Sequence, residues 1–158
     1  MNGEVMLNLN SRLLFHISIE PDEYQILGQT HAGGERMTVP IRSGYFEGER
    51  MNGIVMPGGS DWIIRRPDDV LQLNVRITLK TDDDQLIAMR YRGLRHGSPE
   101  MHERATRGEA IDWEKYYFRT AIEFETGSER YAWMNKIFAI GVGYREAGGP
   151  RYFVHEIL

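Results

Sequence analysis

From Val70 to Leu79 the chain reads V-L-Q-L-N-V-R-I-T-L. Leu71, Leu73, Val75, Ile77 and Leu79 fall in one phase of a two-residue period, and Gln72, Asn74, Arg76 and Thr78 in the other. Side chains of an extended strand point alternately to opposite faces, so this segment makes one apolar wall and one hydrogen-bonding wall with a fixed positive charge. It commits the chain to a β-sheet. The direction each wall faces then decides function. A polar wall turned inward lines a binding chamber; one turned outward is merely wet.

Further strand-like segments recur, separated by turn signals: Leu13 to Glu20 before Pro21, Arg36 to Ile41, Met51 to Met56, Trp62 to Arg66, Leu86 to Gly93, Tyr116 to Glu125, Lys136 to Tyr144 and Tyr152 to Leu158. Thr81-Asp82-Asp83-Asp84-Gln85 is the tip of a hairpin, and Ser128 is positioned to cap one helical turn through Trp133. Between Arg95 and Lys115 the alternation stops in a charged stretch with at most a short helix near Met101 to Arg107. It is too long for an ordinary turn and is either a lid or a surface loop. About eight or more short strands in residues 1–158 predict one all-β domain, an antiparallel barrel or sandwich with at most one or two short helices. An eight-stranded barrel is just wide enough to be filled by side chains or to hold one small ligand.

Composition removes several classes. With no cysteine there is no disulfide, thiolate metal site or cysteine nucleophile. Met1 to Met6 lack a basic region followed by an apolar run, and no apolar run approaches the ~18 residues of a membrane span. A net charge of −4 argues against broad capture of nucleic acid or anionic lipid. The expectation is a soluble cytoplasmic protein with neither as partner. Lysine appears only at Lys80, Lys115 and Lys136, and arginine supplies every other basic residue. That bias suits bidentate carboxylate recognition, and it also suits a GC-rich genome.

Common catalytic signatures are missing. Gly58-Gly59-Ser60-Asp61 begins like a nucleophile elbow, but Trp62 stands where glycine is required. Glycine-rich segments lack the G-K-[ST] of a phosphate loop. The five histidines show no H-x-H or H-x-x-x-H spacing, so neither a metal nor another cofactor is expected. Asp82-Asp83-Asp84 lacks the rest of a calcium loop and reads as a solvated hairpin tip.

What remains is a set of polar residues on strands. Asp61 follows two glycines beside Trp62, and a carboxyl against an indole is raised in pKa and suited to acid–base work. Its alternative is to cap its own turn. Arg76 and Arg119 lie on polar strand faces, ready to hold a carboxylate or enolate by paired donors or, on a wet outer face, to pair with Glu123 or Glu125. Trp62, Tyr91, Tyr117 and Trp133 line a pocket or pack a core.

The runs R36-M-T-V-P-I41, G53-I-V-M-P-G-G-S-D-W62, L73-N-V-R-I-T-L-K-T-D-D83, Y116-Y-F-R-T120 and F124-E-T-G-S-E-R-Y-A-W-M-N135 together resemble the DUF3237 family, also called UPF0311. The resemblance spans nearly the whole chain. It implies a calycin-like antiparallel β-barrel of the kind found in small bacterial and fungal proteins, generally without an assigned activity. Matching positions include Gly58, Gly59, Asp61, Trp62, Arg76, Arg119, Glu125, Trp133 and Asn135. Because the likeness runs through polar residues, it points to an inward polar wall. The chain departs from the family at Asp84-Gln85, where D-D-G is expected, which implies a looser or differently turned hairpin.

Two functions fit. One is a cofactor-free isomerase, cyclase or lyase acting on a small oxygenated or aromatic molecule. In it Asp61 moves a proton and Arg76 and Arg119 hold the oxyanion, with Trp62, Asn74, Tyr91, Tyr117, Glu125, Trp133 and Asn135 around the ligand. The other is a carrier that binds a small organic acid through Arg76 and leaves it unchanged. The outer wall of such a barrel is also able to form a homodimer.

Overall fold

The computed structural model describes residues 7–158, so the stretch Met1 to Met6 considered above lies outside the described residues. Ten strands pair antiparallel in one sheet: β1 (Ser11–Pro21), β2 (Gln25–Thr30), β3 (Gly34–Glu47), β4 (Asn52–Val55), β5 (Ser60–Arg65), β6 (Leu71–Thr81), β7 (Leu86–His96), β8 (Tyr117–Glu125), β9 (Phe138–Glu146) and β10 (Gly149–Ile157). The sheet closes because β1 pairs with β10 on one edge and with β3 on the other. β4 and β5 share one place in the wall, since both bridge β3 to β6 at different heights. β2 likewise continues the wall beyond β1 along the first half of β3. The result is a closed barrel of eight places with two extra strands.

The alternation in β6 resolves with its apolar phase inside. Leu71, Leu73, Val75, Ile77 and Leu79 are buried, and Gln72, Asn74 and Arg76 are exposed. This corrects the expectation of an inward polar wall. Each buried aliphatic side chain contributes roughly 1.5–3 kcal/mol, and turning the strand over would bury Arg76 instead. β8 obeys the same rule, with Phe118, Ile122 and Phe124 inside and Arg119, Glu123 and Glu125 outside. At one end the barrel is plugged by Phe15 against Phe46 (ring centroids 5.4 Å) and Phe124 (6.1 Å).

At the other end β7 leads into a helix, α1 (Pro99–Thr106). Ser98 caps it by accepting from the Met101 N–H at 3.2 Å, and Pro99 occupies the first turn, where no intrahelical donor is needed. Its inner face buries Met101, His102 and Ala105. The charged excursion is thus ordered and bears the expected short helix.

Three details differ from the sequence reading. The exposed β2 was not expected at all; its Ile26-Leu27-Gly28 run has no clear alternation. The turn near Ser128 is a 3-10 segment at Ala132–Lys136 that starts after Tyr131 and has no side-chain cap. Asp84 reaches φ 62° without glycine, and the hairpin is held by the Thr81 side chain accepting from Gln85 N–H at 2.9 Å, so it is tight rather than loose. The tip itself is solvated as expected, with Asp82, Asp83 and Asp84 all exposed, and Asp83 in addition accepts from the Tyr131 hydroxyl at 2.8 Å and from Arg130 at 3.0 Å, a tether to the next loop. Among the described residues no helix is long and apolar enough to cross a membrane.

Candidate functional site

The turn Pro57-Gly58-Gly59 lets β5 begin hard against β6. Gly58 sits at φ 104°, and a Cβ on Gly59 would lie 2.5 Å from the Arg76 carbonyl oxygen. Two residues later Asp61 pairs with Val39 on one side and Val75 on the other. Directly paired residues share a face, so the buried Val39 and Val75 fix the Asp61 carboxyl inside the barrel. Val75 pairs in turn with Tyr91, which brings Asp61 and Tyr91 onto one inner row. The Asn74 backbone N–H donates to Asp61 Oδ1 at 3.1 Å. Burial pushes the carboxyl up to about 6, against the opposing pull of that N–H and of Arg95. The sequence reading ascribed such a shift to Trp62, but that indole faces out and donates to Ser60 Oγ at 3.2 Å. The shift comes from burial on the inner face of the barrel.

Above this row, toward α1, the interior turns polar. The Tyr91 and Tyr152 rings meet nearly edge-on at 5.4 Å. Burial raises both phenols above their ordinary range, with the Asp61 charge adding to each, so both stay protonated at neutral pH. Arg95, paired with Leu71 and Phe118, is 4% exposed and lies 5.6 Å from the Phe118 ring centroid. Arg145 on β9 is 5% exposed; its Nη2 donates to the Ala105 carbonyl of α1 at 3.1 Å and its backbone N–H to the Tyr116 hydroxyl at 2.6 Å. His102, reaching in from α1, is 3% exposed. Burial, then Arg95 and Arg65, lower its pKa, so the ring is neutral. The Nε atoms of Arg95 and Arg145, both ring nitrogens of His102 and Thr120 Oγ1 have no hydrogen-bond partner. Buried polar groups are normally satisfied, so this concentration under one helix marks the region.

Of the residues singled out from the sequence, only Asp61 and Tyr91 meet inside. Trp62, Asn74, Tyr117 and Arg119 line a concavity of about 710 Å³ on the outer wall, together with Arg36 and Arg92. Arg76, Glu125 and Asn135 border another of about 630 Å³. Arg76 and Arg119 are thus on the opposite side of the sheet from the Asp61 carboxyl, because a guanidinium in the polar phase goes to water. Neither pairs with Glu123, which Arg90 engages. Arg119 donates to the Phe118 carbonyl at 2.9 Å. Trp133 carries the Arg50 guanidinium 3.6 Å from its ring centroid, and Asn135 clamps the Thr126 backbone by two hydrogen bonds, 2.8 and 2.9 Å.

Arg95, Arg145, Tyr152 and His102 went unnoticed in the sequence, although two carried a signal. In I87-A-M-R-Y-R-G-L-R95 the arginine at 95 stands in the apolar phase with Ile87, Met89 and Tyr91. Arg145 is likewise in phase with Ala139, Gly141 and Gly143. A charge in the buried phase of an alternating strand is the informative kind. Among the described residues no group of three or more histidine and carboxylate side chains is arranged to hold a metal ion.

Comparison with known proteins agrees with this architecture. The model of a family described as a protein of unknown function, DUF3237, matches residues 9–157. A UPF0311 protein of Clostridium acetobutylicum is 40% identical over 131 residues, 82% of this chain and 83% of that protein. The crystal structure of a conserved protein of unknown function from Rhodopseudomonas palustris superposes with a TM-score of 0.89 at 30% identity, covering 98% of this chain and 100% of that one. That of an enzyme from Penicillium herquei superposes at 0.73 with 20% identity over 99% of each chain, a likeness of fold.

Proposed function

The chain belongs to the DUF3237 family, also named UPF0311, and on that premise we propose that it is a cofactor-free proton-transfer enzyme working inside its barrel on a small oxygenated or aromatic molecule. The observation that carries the reading is the Asp61 carboxyl, partly buried between Val39 and Val75 with Tyr91 on the same inner row and raised to about 6. Such a group is largely ionised at pH 7 yet basic enough to take a proton. In the proposed step the Asp61 carboxylate removes a proton from carbon beside a carbonyl, and the C–H electron pair shifts to form an enolate. The Tyr91 and Tyr152 hydroxyls donate hydrogen bonds to its oxygen. Asp61, now a carboxylic acid, returns the proton at another atom, which gives isomerisation, or delivers it to a departing group, which gives elimination; where the enolate oxygen first bonds to an electrophilic C=C carbon of the same molecule, the displaced π pair takes the proton from Asp61, which gives ring closure. The oxyanion role read from the sequence for Arg76 and Arg119 passes in this reading to groups inside. The enzyme found among the structural neighbours lends the fold, and only the fold, to this reading.

The test is deuterium exchange. Wild-type protein is incubated in heavy water with a panel of phenolic and 1,3-dicarbonyl compounds, and loss of the C–H proton signals is followed by NMR. Acceleration that disappears in Asp61→Asn supports the proposal; equal exchange by the variant removes Asp61 from it. A second reading, a carrier for a small organic acid, draws on the buried guanidiniums of Arg95 and Arg145. It differs in predicting binding without exchange for any ligand.

A further inference from the structure

How the barrel treats buried charge depends on its sign. The buried carboxylate Glu156, 6% exposed, is matched twice, by Arg12 at 2.9 Å and Arg50 at 3.5 Å. The buried guanidiniums at the α1 end are not matched. Among the described residues neither Arg95 nor Arg145 has a carboxylate within ion-pair distance, and each keeps an unpartnered Nε. The Asp61 charge acts on Arg95 only from a distance, and it supplies one negative charge against two positive ones. The Tyr24 and Tyr152 side chains also lie near Arg95. His102 reaches in from α1 near Arg95 with both ring nitrogens unpartnered. The α1 end of the interior thus sets two largely buried guanidiniums against one carboxylate, an arrangement that burial disfavours and that an anion would complete.

We propose that Arg95 and Arg145 form a seat for the anionic group of a small ring compound, a carboxylate or a phenolate, with His102 as a third contact and α1 as the element that opens to admit it. The guanidinium fork suits the planar pair of oxygens of a carboxylate. Arg145 already ties the barrel to α1 through the Ala105 carbonyl, so the seat lies where the helix meets the wall. Along β7 the four-residue step from Arg95 to Tyr91 spans ~13 Å between Cα atoms, with Gly93 between them on the inner face, where Leu73 and Thr120 pack against it. The inference rests on the barrel interior being the ligand chamber and does not require Asp61 to move a proton.

The experiment is thermal unfolding at constant ionic strength with sodium acetate and sodium benzoate, each against its neutral amide, acetamide or benzamide. Wild-type protein is expected to be stabilised by the carboxylates in a saturable way and not by the amides. Arg95→Gln and Arg145→Gln should each weaken the apparent affinity at least tenfold, while Arg119→Gln, on the outer concavity, leaves it within twofold. Arg95→Lys, which keeps the charge and loses the fork, guards against a variant that does not fold and should also bind more weakly. Absence of carboxylate stabilisation in wild type, or stabilisation that survives in both glutamine variants, overturns the seat. Asp61→Asn separates the two proposals. It should bind benzoate at least as well as wild type, so lost exchange with retained binding counts for both, exchange that survives in this variant counts against the proton-transfer reading alone, and lost exchange with no carboxylate stabilisation in wild type or variant counts against the seat alone.

Discussion

The Asn74 backbone N–H donates to the Asp61 carboxylate at 3.1 Å, at a height where the β5–β6 ladder pauses between its Asp61–Val75 and Ile64–Gln72 pairs. One carboxylate oxygen is thereby anchored to the wall, and the other is left to the interior. A residue so fixed has one aim, which is the condition for a proton-transferring group to act on a bound molecule.

Asp61→Asn should preserve this anchoring, since an amide oxygen also accepts the Asn74 N–H, and should lower exchange or turnover by about 10²–10⁴-fold while ligand affinity stays within a few-fold. Parallel rate and binding measurements check this; a matching loss of affinity would assign Asp61 to binding.

Stability should depend on pH through the same residue. The folded carboxyl, at about 6, lies above its unfolded value of 3.8, so the native state binds this proton more tightly than the unfolded chain does. Stability therefore falls as pH rises from about 4 to 6 and stays lower above, and a two-unit shift amounts to about 3 kcal/mol. Denaturant unfolding should find Asp61→Asn more stable than wild type at pH 8, with the difference closing at pH 4.

Tyr91→Phe removes a hydroxyl and keeps the ring against Tyr152. A lost oxyanion donor costs about 10²–10³ in rate, so turnover should fall on that scale with the fold intact by circular dichroism.

Outer-wall substitutions should do neither. Arg76→Ala and Trp62→Ala alter exposed side chains, and each is expected to change stability by less than about 0.5 kcal/mol and to leave exchange rates unaltered. A large loss of rate in Arg76→Ala would return that residue to the mechanism.

Gly141 tests how tightly the inner wall is filled. A Cβ there would fall 2.2 Å from Thr120 Oγ1, so Gly141→Ala should destabilise by about 1–3 kcal/mol, and Thr120→Ala in the same chain should restore part of it.

The barrel was legible because period-two patterning is a direct consequence of strand geometry, and nearly every strand carried it. β2 was missed since Gln25–Thr30 lies flat and wet against β3 and has no buried phase to reveal it. The candidate site was legible only in part. Asp61 and Tyr91 stood out by residue type, and the direction of the shift at Asp61 was foreseen with the wrong neighbour as its cause. Arg76 and Arg119 drew attention because they bear charge, yet charge in the polar phase is what any wetted wall displays. Arg95 and Arg145 were the out-of-phase residues, and their meaning emerged only when closure of the sheet brought β7 and β9 around one interior. Tyr152 and His102 arrive from β10 and α1, by contacts no local pattern encodes.

The β1–β10 seam has a last consequence. It joins segments some 144 positions apart, as the Arg12–Glu156 pair measures, and loops of that size are entropically slow to close. Because β10 brings Tyr152, the inner face around Asp61 is completed in the same event that welds the cylinder shut. Until then the nascent sheet is a curled ribbon with two raw edges and two arginines stranded on its greasy side. Refolding should therefore be sluggish, prone to clumping at high concentration, and quickened by whatever small guest helps the ribbon wrap.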